Sequence, residues 1–134
     1  MAIQISGTTV INNSRNLTNI GSISASGNIT TTAAITASGN ITAYSDESLK
    51  DNIKQIEGAV EKVCALRGVE FDRNDLEENP HQIGVIAQEV EKIIPEVVLT
   101  HEDGIKSVAY GSLVGLLIEA VKEQQEQINE LKSK

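Results

Sequence analysis

The chain has 134 residues and a formal net charge of −8, and its charged side chains are distributed unevenly. Arg15 is the only charged residue among the first 44, so all nineteen acidic groups lie in residues 45–134. An acidic surface is repelled by nucleic acid and by anionic membranes, which argues against both as partners. No apolar run approaches the roughly 20 residues of a membrane span, and Met1 does not begin a signal sequence. We therefore expect a soluble chain that is made in the cytoplasm.

Large side chains are scarce along the whole chain. Its aromatic residues are Tyr44, Phe71 and Tyr110, and tryptophan is absent. One chain can therefore build only a small core, and domains of this kind gain stability by forming oligomers. The single Cys64 excludes an internal disulfide, and its apolar neighbours predict that it is a small buried hydrophobe.

A twelve-residue repeat occupies the uncharged part of the chain. Residues 23–30 read Ile-Ser-Ala-Ser-Gly-Asn-Ile-Thr, and residues 35–42 read Ile-Thr-Ala-Ser-Gly-Asn-Ile-Thr. Alternation of Ile with Ser or Thr predicts short strands, and the Ser-Gly-Asn run predicts a tight turn between them. Units this small cannot bury their isoleucines within one chain, so we expect identical chains to wind together.

The alternative for the repeat is a flexible linker, which its Ser, Thr, Gly and Asn content also fits. A linker does not need β-branched residues in strict register, and this favours the stacked strands. The segment 10–20 is similarly punctuated by Asn, and it predicts further short strands and turns.

From Ser45 onward the pattern predicts mixed α and β structure. Helical spacing of apolar residues predicts helices over 58–66 and 87–94, the second closed by Pro95. A loop is predicted over 74–80, and the Glu102-Asp103-Gly104 run predicts a hairpin turn. Short apolar runs predict four strands, at 69–71, 83–86, 97–99 and 105–108.

The last segment is predicted to be one helix over 112–134. Gln124 interrupts its apolar seam, which fits a trimer in which register matters more than stability. The alternative is a terminal amphipathic helix that lies on its own domain. The seam residues are spaced alternately 3 and 4 apart, as in a coiled coil: Val114, Leu117, Val121, Gln124, Ile128 and Leu131.

The sequence offers little for metal or nucleotide chemistry. His81 and His101 have no Cys or carboxylate partners at zinc spacing. No Gly-rich loop of a nucleotide-binding kind leads from a strand into a helix. We therefore expect no metal and no cofactor.

At the junction of the two regions, Ser45 and Lys50 place a hydroxyl and an amine five residues apart. A lysine amine that its surroundings keep neutral can accept the proton of a serine hydroxyl. Five residues is a poor spacing on a straight helix. A strand-to-helix corner with Asp46 or Ser48 as N-cap would let Lys50, in the first turn, fold back toward Ser45. The alternative is a capping serine beside a solvated lysine.

Two motifs in this region resemble a known family. Residues 45–53 read Ser-Asp-x-x-Leu-Lys-x-Asn-Ile, and residues 83–91 read Ile-Gly-Val-Ile-Ala-Gln-Glu-Val-Glu. Pro-Glu-Val-Val at 95–98 and the terminal helix follow in the same order. Together they resemble the C-terminal chaperone domain of phage endosialidases and tail fibres, a self-cleaving serine peptidase domain that also occurs in the myelin regulatory factor. The first 44 residues are similar only in style to the β-rich threads of such fibres.

The resemblance implies an α+β chaperone domain over 45–134, with a coiled-coil helix at 111–134. It also implies a β-rich, triple-stranded fibrous stalk over 1–44, and a homotrimer. Ser45 would be the nucleophile and Lys50 its general base, and the cut would lie among Tyr44, Ser45 and Asp46. Attack on the preceding carbonyl would be an N-to-O acyl shift, whereas cleavage after Ser45 needs a different approach, and the sequence leaves both open.

We therefore expect a chain that trimerises and folds a phage tail fibre and then releases itself by single-turnover autoproteolysis. Its partners would be further copies of itself and upstream fibre or other tail proteins, in the virion tail fibre of a phage made in the host cytoplasm. The alternative is a non-cleaving, structural trimerisation tip. A third interpretation is a coiled-coil adaptor with a flexible tail, unrelated to phages.

Overall fold

A computed structural model of one chain describes residues 3–5, 8–11, 14, 16–18, 20–31, 34–78 and 80–134. The chain divides into two units, Met1–Ser45 and Asp46–Lys134. Within the described ranges, no helix is both long enough and apolar enough to cross a membrane.

The first unit contains one small antiparallel sheet. Strand β1 (Ile3–Ile5) pairs with β2 (Thr8–Ile11), and an isolated antiparallel bridge joins Ile11 to Leu17. The expectation of short strands in 10–20 is therefore confirmed at Ile11 and Leu17. The other part of that expectation lies outside the described residues at positions 12, 13, 15 and 19.

The twelve-residue repeat forms no strand within 20–31 and 34–46. The chain bends at Ser26-Gly27 and again at the equivalent Ser38-Gly39, where turns were predicted. The strands predicted on either side of these bends do not form in the single chain, because a strand needs a partner for its backbone hydrogen bonds. Their formation between identical chains stays a prediction. Four isoleucines of the repeat are consequently 66–79% exposed: Ile23, Ile29, Ile35 and Ile41.

The second unit is α+β, which confirms the predicted fold class of this region. Its two sheets are antiparallel hairpins, one formed by β3 with β4 and the other by β5 with β6. Short 3₁₀ turns lie at Glu47–Leu49, Pro95–Val97 and Tyr110–Ser112. The elements in chain order are α1 (Ala59–Ala65), β3 (Val69–Asp72), β4 (His81–Gly84), α2 (Ala87–Val90), β5 (Val98–Thr100), β6 (Lys106–Val108) and α3 (Leu113–Lys132).

The predicted hairpin turn is confirmed between β5 and β6. Gly104 adopts a positive φ of 81°, which glycine tolerates without steric cost. Its backbone N–H donates to the His101 carbonyl at 2.9 Å, and the Ile105 N–H donates to the Asp103 carboxylate at 3.0 Å. The turn residues alone therefore specify how the chain reverses here.

The strand predicted at 83–86 and the helix predicted at 87–94 differ most from the bounds in the structure. The strand expected at 83–86 runs from His81 to Gly84, because its pairing with β3 sets its limits and the apolar run does not. The helix expected over 87–94 ends at Val90. Turns continue over 91–93, and Pro95 disfavours a helical conformation at Ile94, which is found at φ −141° and ψ 71°.

The core of the second unit lies between α1 and α3. Ala59 is fully buried there, with Leu116 at 4% and Ala120 at 8% exposure. Two alanines at this contact let the helices approach closely. Within the described part of the chain, the only other buried apolar side chains are Val90 and Val97. This core is small, as the scarcity of aromatic residues predicts.

The prediction that Cys64 is buried is wrong, since its side chain is exposed. Helix α1 turns Ala59 toward α3, and Val63, one turn further on, packs against the same cluster. Cys64 follows Val63 by one residue, about 100° around the helix, and so faces away from the contact. An apolar neighbourhood in sequence did not identify the buried face of so short a helix.

Candidate functional site

The junction segment is organised by a short 3₁₀ turn at Glu47–Leu49. Asp46 is its N-cap and accepts a hydrogen bond from the Ser48 N–H at 2.9 Å. The Ser48 hydroxyl also donates to the same carboxylate oxygen. Both hydrogen bonds lower the pKa of the Asp46 carboxyl, and the bond from the Ser48 hydroxyl has the larger effect. The sequence left Asp46 and Ser48 open as the cap; the structure has Asp46 as the N-cap and Ser48 as the donor to it.

Lys50 ends this turn, so its predicted place in the first turn of a helix is wrong. Its backbone N–H donates to the Glu47 carbonyl at 3.0 Å, and its own φ of −131° and ψ of 132° are extended. The turn is only three residues long, which is typical of 3₁₀ geometry. The predicted strand-to-helix corner is therefore wrong: no strand precedes Asp46 within 34–46, and the turn ends at Lys50 without continuing into a helix.

The residues predicted around the cut, Tyr44, Ser45 and Asp46, are all exposed, and Tyr44 is 96% exposed. The boundary between the two units falls between Ser45 and Asp46. The two members of the predicted dyad, Ser45 and Lys50, therefore belong to different units. The dyad stays a prediction.

Helix α3 presents two different faces. One face carries Leu116 and Ala120, which are buried against α1. The predicted seam lies on another face and is exposed, from 39% at Ile128 to 71% at Leu131. Gln124 is exposed as well. The helix thus lies on its own domain, as the alternative interpretation expected, while the heptad seam remains uncovered: Val114, Leu117, Val121, Gln124, Ile128 and Leu131.

Two carboxylates of α3 bind the chain just before α1 and at its start. Glu123 accepts the backbone N–H groups of Ala59 and Val60, each at 2.9 Å. Glu119 accepts the Gln55 side-chain amide at 2.6 Å and the Lys122 amine at 2.9 Å. We call this pair of carboxylates and their partners the α3 clamp.

The pKa values of both clamp carboxyls are lowered by these contacts. Backbone hydrogen bonds lower the pKa of Glu123, and the bond from Val60 has a larger effect than the bond from Ala59. Hydrogen bonds from the Lys122 amine and the Gln55 amide lower the pKa of Glu119, and the bond from Lys122 has the larger effect. The clamp was not predicted from the sequence. Its only signal was the spacing of the two residues, four apart on one helix face, which is ordinary for a solvated helix.

The two histidines make separate polar contacts. The His81 Nδ1 atom lies 2.8 Å from the Asp72 carboxylate, and the His101 Nε2 atom lies 2.9 Å from the Ser107 hydroxyl. Over the ranges that the structure describes, no group of three or more His, Cys, Asp or Glu side chains could hold a metal ion.

The second unit matches a known class of domain. Residues 45–99 match the family model described as chaperone of endosialidase. The match confirms the resemblance seen in the two motifs.

The chain is also similar to curated long tail fibre proteins of phages. The chain is 39% identical over 97 residues to the long tail fibre protein Gp37 of Enterobacteria phage M1 and to that of Enterobacteria phage Ox2. Each match covers 66% of this chain and 39% of the relative. A long tail fibre protein Gp37 of a Salmonella phage is 31% identical over 97 residues, covering 66% of this chain and 13% of that protein. The chain thus spans well under half the length of these relatives.

Proposed function

We propose that this chain is the trimerisation and folding chaperone of a phage tail fibre, and that it releases itself by cutting the backbone beside Ser45. The observation that carries the proposal is the chaperone-of-endosialidase match, whose first residue is the predicted nucleophile. The names of the relatives, long tail fibre proteins, support a place in the virion tail. The whole fibre's other activities and partners are outside this inference.

A homotrimer is supported by the apolar surface that one chain leaves uncovered. Five seam residues are at least 39% exposed, and the described core holds only five buried side chains. Exposed apolar rows of this kind mark association surfaces. A heptad seam with a polar residue at Gln124 suits identical helices held in one register. Trimeric winding would likewise bury the exposed isoleucines of the repeat, in a triple-stranded β stalk over 1–44.

The order of events follows from folding kinetics. Three chains that must pair non-local strands in register fold slowly and mispair readily. A coiled coil that first joins the chains raises their effective concentration before the stalk forms. Cutting afterwards removes the template through which the stalk could unfold. The stalk is then kinetically trapped, and its lifetime depends on its unfolding rate.

The chemistry would use one serine and one amine. In an N-to-O acyl shift, the Ser45 hydroxyl oxygen bonds to the Tyr44 carbonyl carbon, the bond to the Ser45 nitrogen breaks, and an ester forms. Lys50 takes the hydroxyl proton and returns it to the leaving nitrogen. Water then hydrolyses the ester, which leaves one fragment ending at Tyr44 and another beginning at Ser45. Cleavage after Ser45 would instead give a second fragment that begins at Asp46.

The test is to compare native and denatured intact masses of the parent, Ser45→Ala and Lys50→Ala. We expect a trimeric, cut parent and two trimeric, uncut variants. Lys54→Ala is the matched control, which changes the same residue type in the same segment and should be cut normally. The fragment masses also decide which side of Ser45 is cut.

A second candidate function is the non-cleaving trimerisation tip. It is favoured by the names of the relatives, which describe fibre proteins and no peptidase. An uncut parent that is nevertheless a trimer would establish this function and exclude self-cleavage. A monomeric parent would exclude both candidates.

A further inference from the structure

The segment that follows Lys50 has no regular secondary structure of its own. Residues 51–58 lie between the 3₁₀ turn and α1 without forming a helix or strand. One side of this segment borders an open groove of about 830 Å³, lined by Gln55, Ile56 and Leu116 among others. Packing alone therefore holds the segment weakly, because much of its surface faces the groove.

Hydrogen bonds with α3 hold this segment in addition to the packing. The Gln55 amide is bound by Glu119, and the start of α1 is bound by both oxygens of the Glu123 carboxylate. Ile56 lies beside Gly115 of α3: its Cδ1 atom is 3.8 Å from where a Cβ on Gly115 would stand, an ordinary van der Waals distance. Each of these contacts joins residues about sixty positions apart in the chain.

The clamp and the predicted seam lie on the same helix. Glu119 and Glu123 alternate along α3 with the seam residues Leu117, Val121 and Gln124. The helix that would assemble the trimer is therefore the same rigid element that holds the chain following Lys50. A displacement of α3 on assembly would move residues 55–60 with it.

We propose that Glu119 and Glu123 are positioning residues for self-cleavage, which tie the segment carrying Lys50 to the helix carrying the trimer seam. The inference rests on the proposed function, and it assigns neither residue a contact with the reacting atoms. Cutting then depends on α3, because the clamp fixes the segment that follows Lys50.

The length of free chain shows why the clamp matters. Five residues separate Lys50 from Gln55, and they can span at most about 18 Å when fully extended. Without the Gln55 anchor the next fixed point is Ala59, nine residues away, and the reach rises to about 32 Å. A base that explores the larger volume meets its nucleophile less often, and positioning of this kind contributes large factors to rate.

The test measures the cutting rate per assembled trimer, by native and denatured intact mass, in Glu123→Ala, Glu123→Gln and Glu119→Gln. Glu123→Gln keeps one acceptor oxygen and nearly the same side-chain shape. We expect at least a tenfold slower cut in Glu123→Ala and an intermediate rate in Glu123→Gln. A purely structural role would lower the fraction of trimer and the unfolding midpoint instead, and would not grade the rate within intact trimers. Glu126→Ala, on the same helix, is the matched control and should cut at the parent rate.

A second measurement uses hydrogen exchange in the uncut Ser45→Ala background. We expect Glu123→Ala to speed exchange in residues 51–60 while α3 stays protected. Trimers of Glu123→Ala and Glu119→Gln that cut at the parent rate would overturn the inference and leave the proposed function intact. A trimeric parent that never cuts would overturn the peptidase proposal, and the positioning role with it.

Discussion

Leu116 and Leu117 are adjacent on α3 but face different surroundings, and this difference can be measured. Leu116 is 4% exposed and packs in the cluster with Ala59 and Ala120, whereas Leu117 is 50% exposed on the predicted seam. Leu116→Ala should therefore destabilise the second unit itself. Leu117→Ala should act mainly on association of the chains.

The size of the Leu116 effect follows from its packing. Truncation of a buried leucine to alanine costs about 2–5 kcal/mol, and less where the surroundings can close around the void. Leu116 also borders two open grooves, so we expect the lower part of this range, about 2–3 kcal/mol. With a urea dependence on the order of 2 kcal/mol per M, the unfolding midpoint should fall by about 1–1.5 M.

The assay is urea unfolding followed by circular dichroism in the Ser45→Ala background, which keeps the chain intact. It is run at two protein concentrations, chosen by native mass so that one is monomeric and the other assembled. Leu116→Ala should lower the midpoint at both concentrations, and Leu117→Ala mainly at the higher one. Equal effects of the two variants in the monomer would refute the packing of α1 against α3.

Two further results are expected. Gly84→Ala should lower the thermal unfolding midpoint by about 5 °C, the equivalent of about 1 kcal/mol, because the added Cβ would lie 2.6 Å from the Tyr110 hydroxyl. Calorimetry measures the midpoint, and Gly111→Ala is the control because its Cβ would meet open space. An unchanged midpoint in Gly84→Ala would contradict the contact. The pKa of Glu123 in the folded state lies below its usual 4.5, so the unfolded state binds the proton more readily. The Glu123 carboxylate therefore stabilises the folded state above pH 4.5, and this stabilisation is lost as pH falls through the folded pKa. The stability difference between the parent and Glu123→Gln should shrink in acid urea titrations, and a constant difference would contradict this linkage.

The elements that the sequence predicted well are those with local causes. The turn at Asp103-Gly104 depends on glycine's freedom at positive φ. The long α3 follows from its apolar period alone. Each of these signals is complete within a few consecutive residues, so the sequence carries it without reference to the rest of the fold.

The elements that the sequence predicted poorly depend on partners elsewhere in the chain. β4 begins at His81 because it pairs with β3, although the apolar run starts later. The strands of the repeat lack any partner in one chain, and their isoleucines remain exposed. Cys64 has apolar neighbours in sequence, yet the contact with α3 selects the other side of α1.

By itself the sequence determined the α+β class of the second unit, its family resemblance, the turn at Asp103-Gly104 and the existence of a heptad seam. Only the tertiary structure decided that α3 buries Leu116 against α1 and leaves Leu117 exposed, and that Glu123 holds the start of α1. The physical reason is distance along the chain. A helical period identifies apolar positions, but the contact that covers one face of α3 comes from residues about sixty positions away.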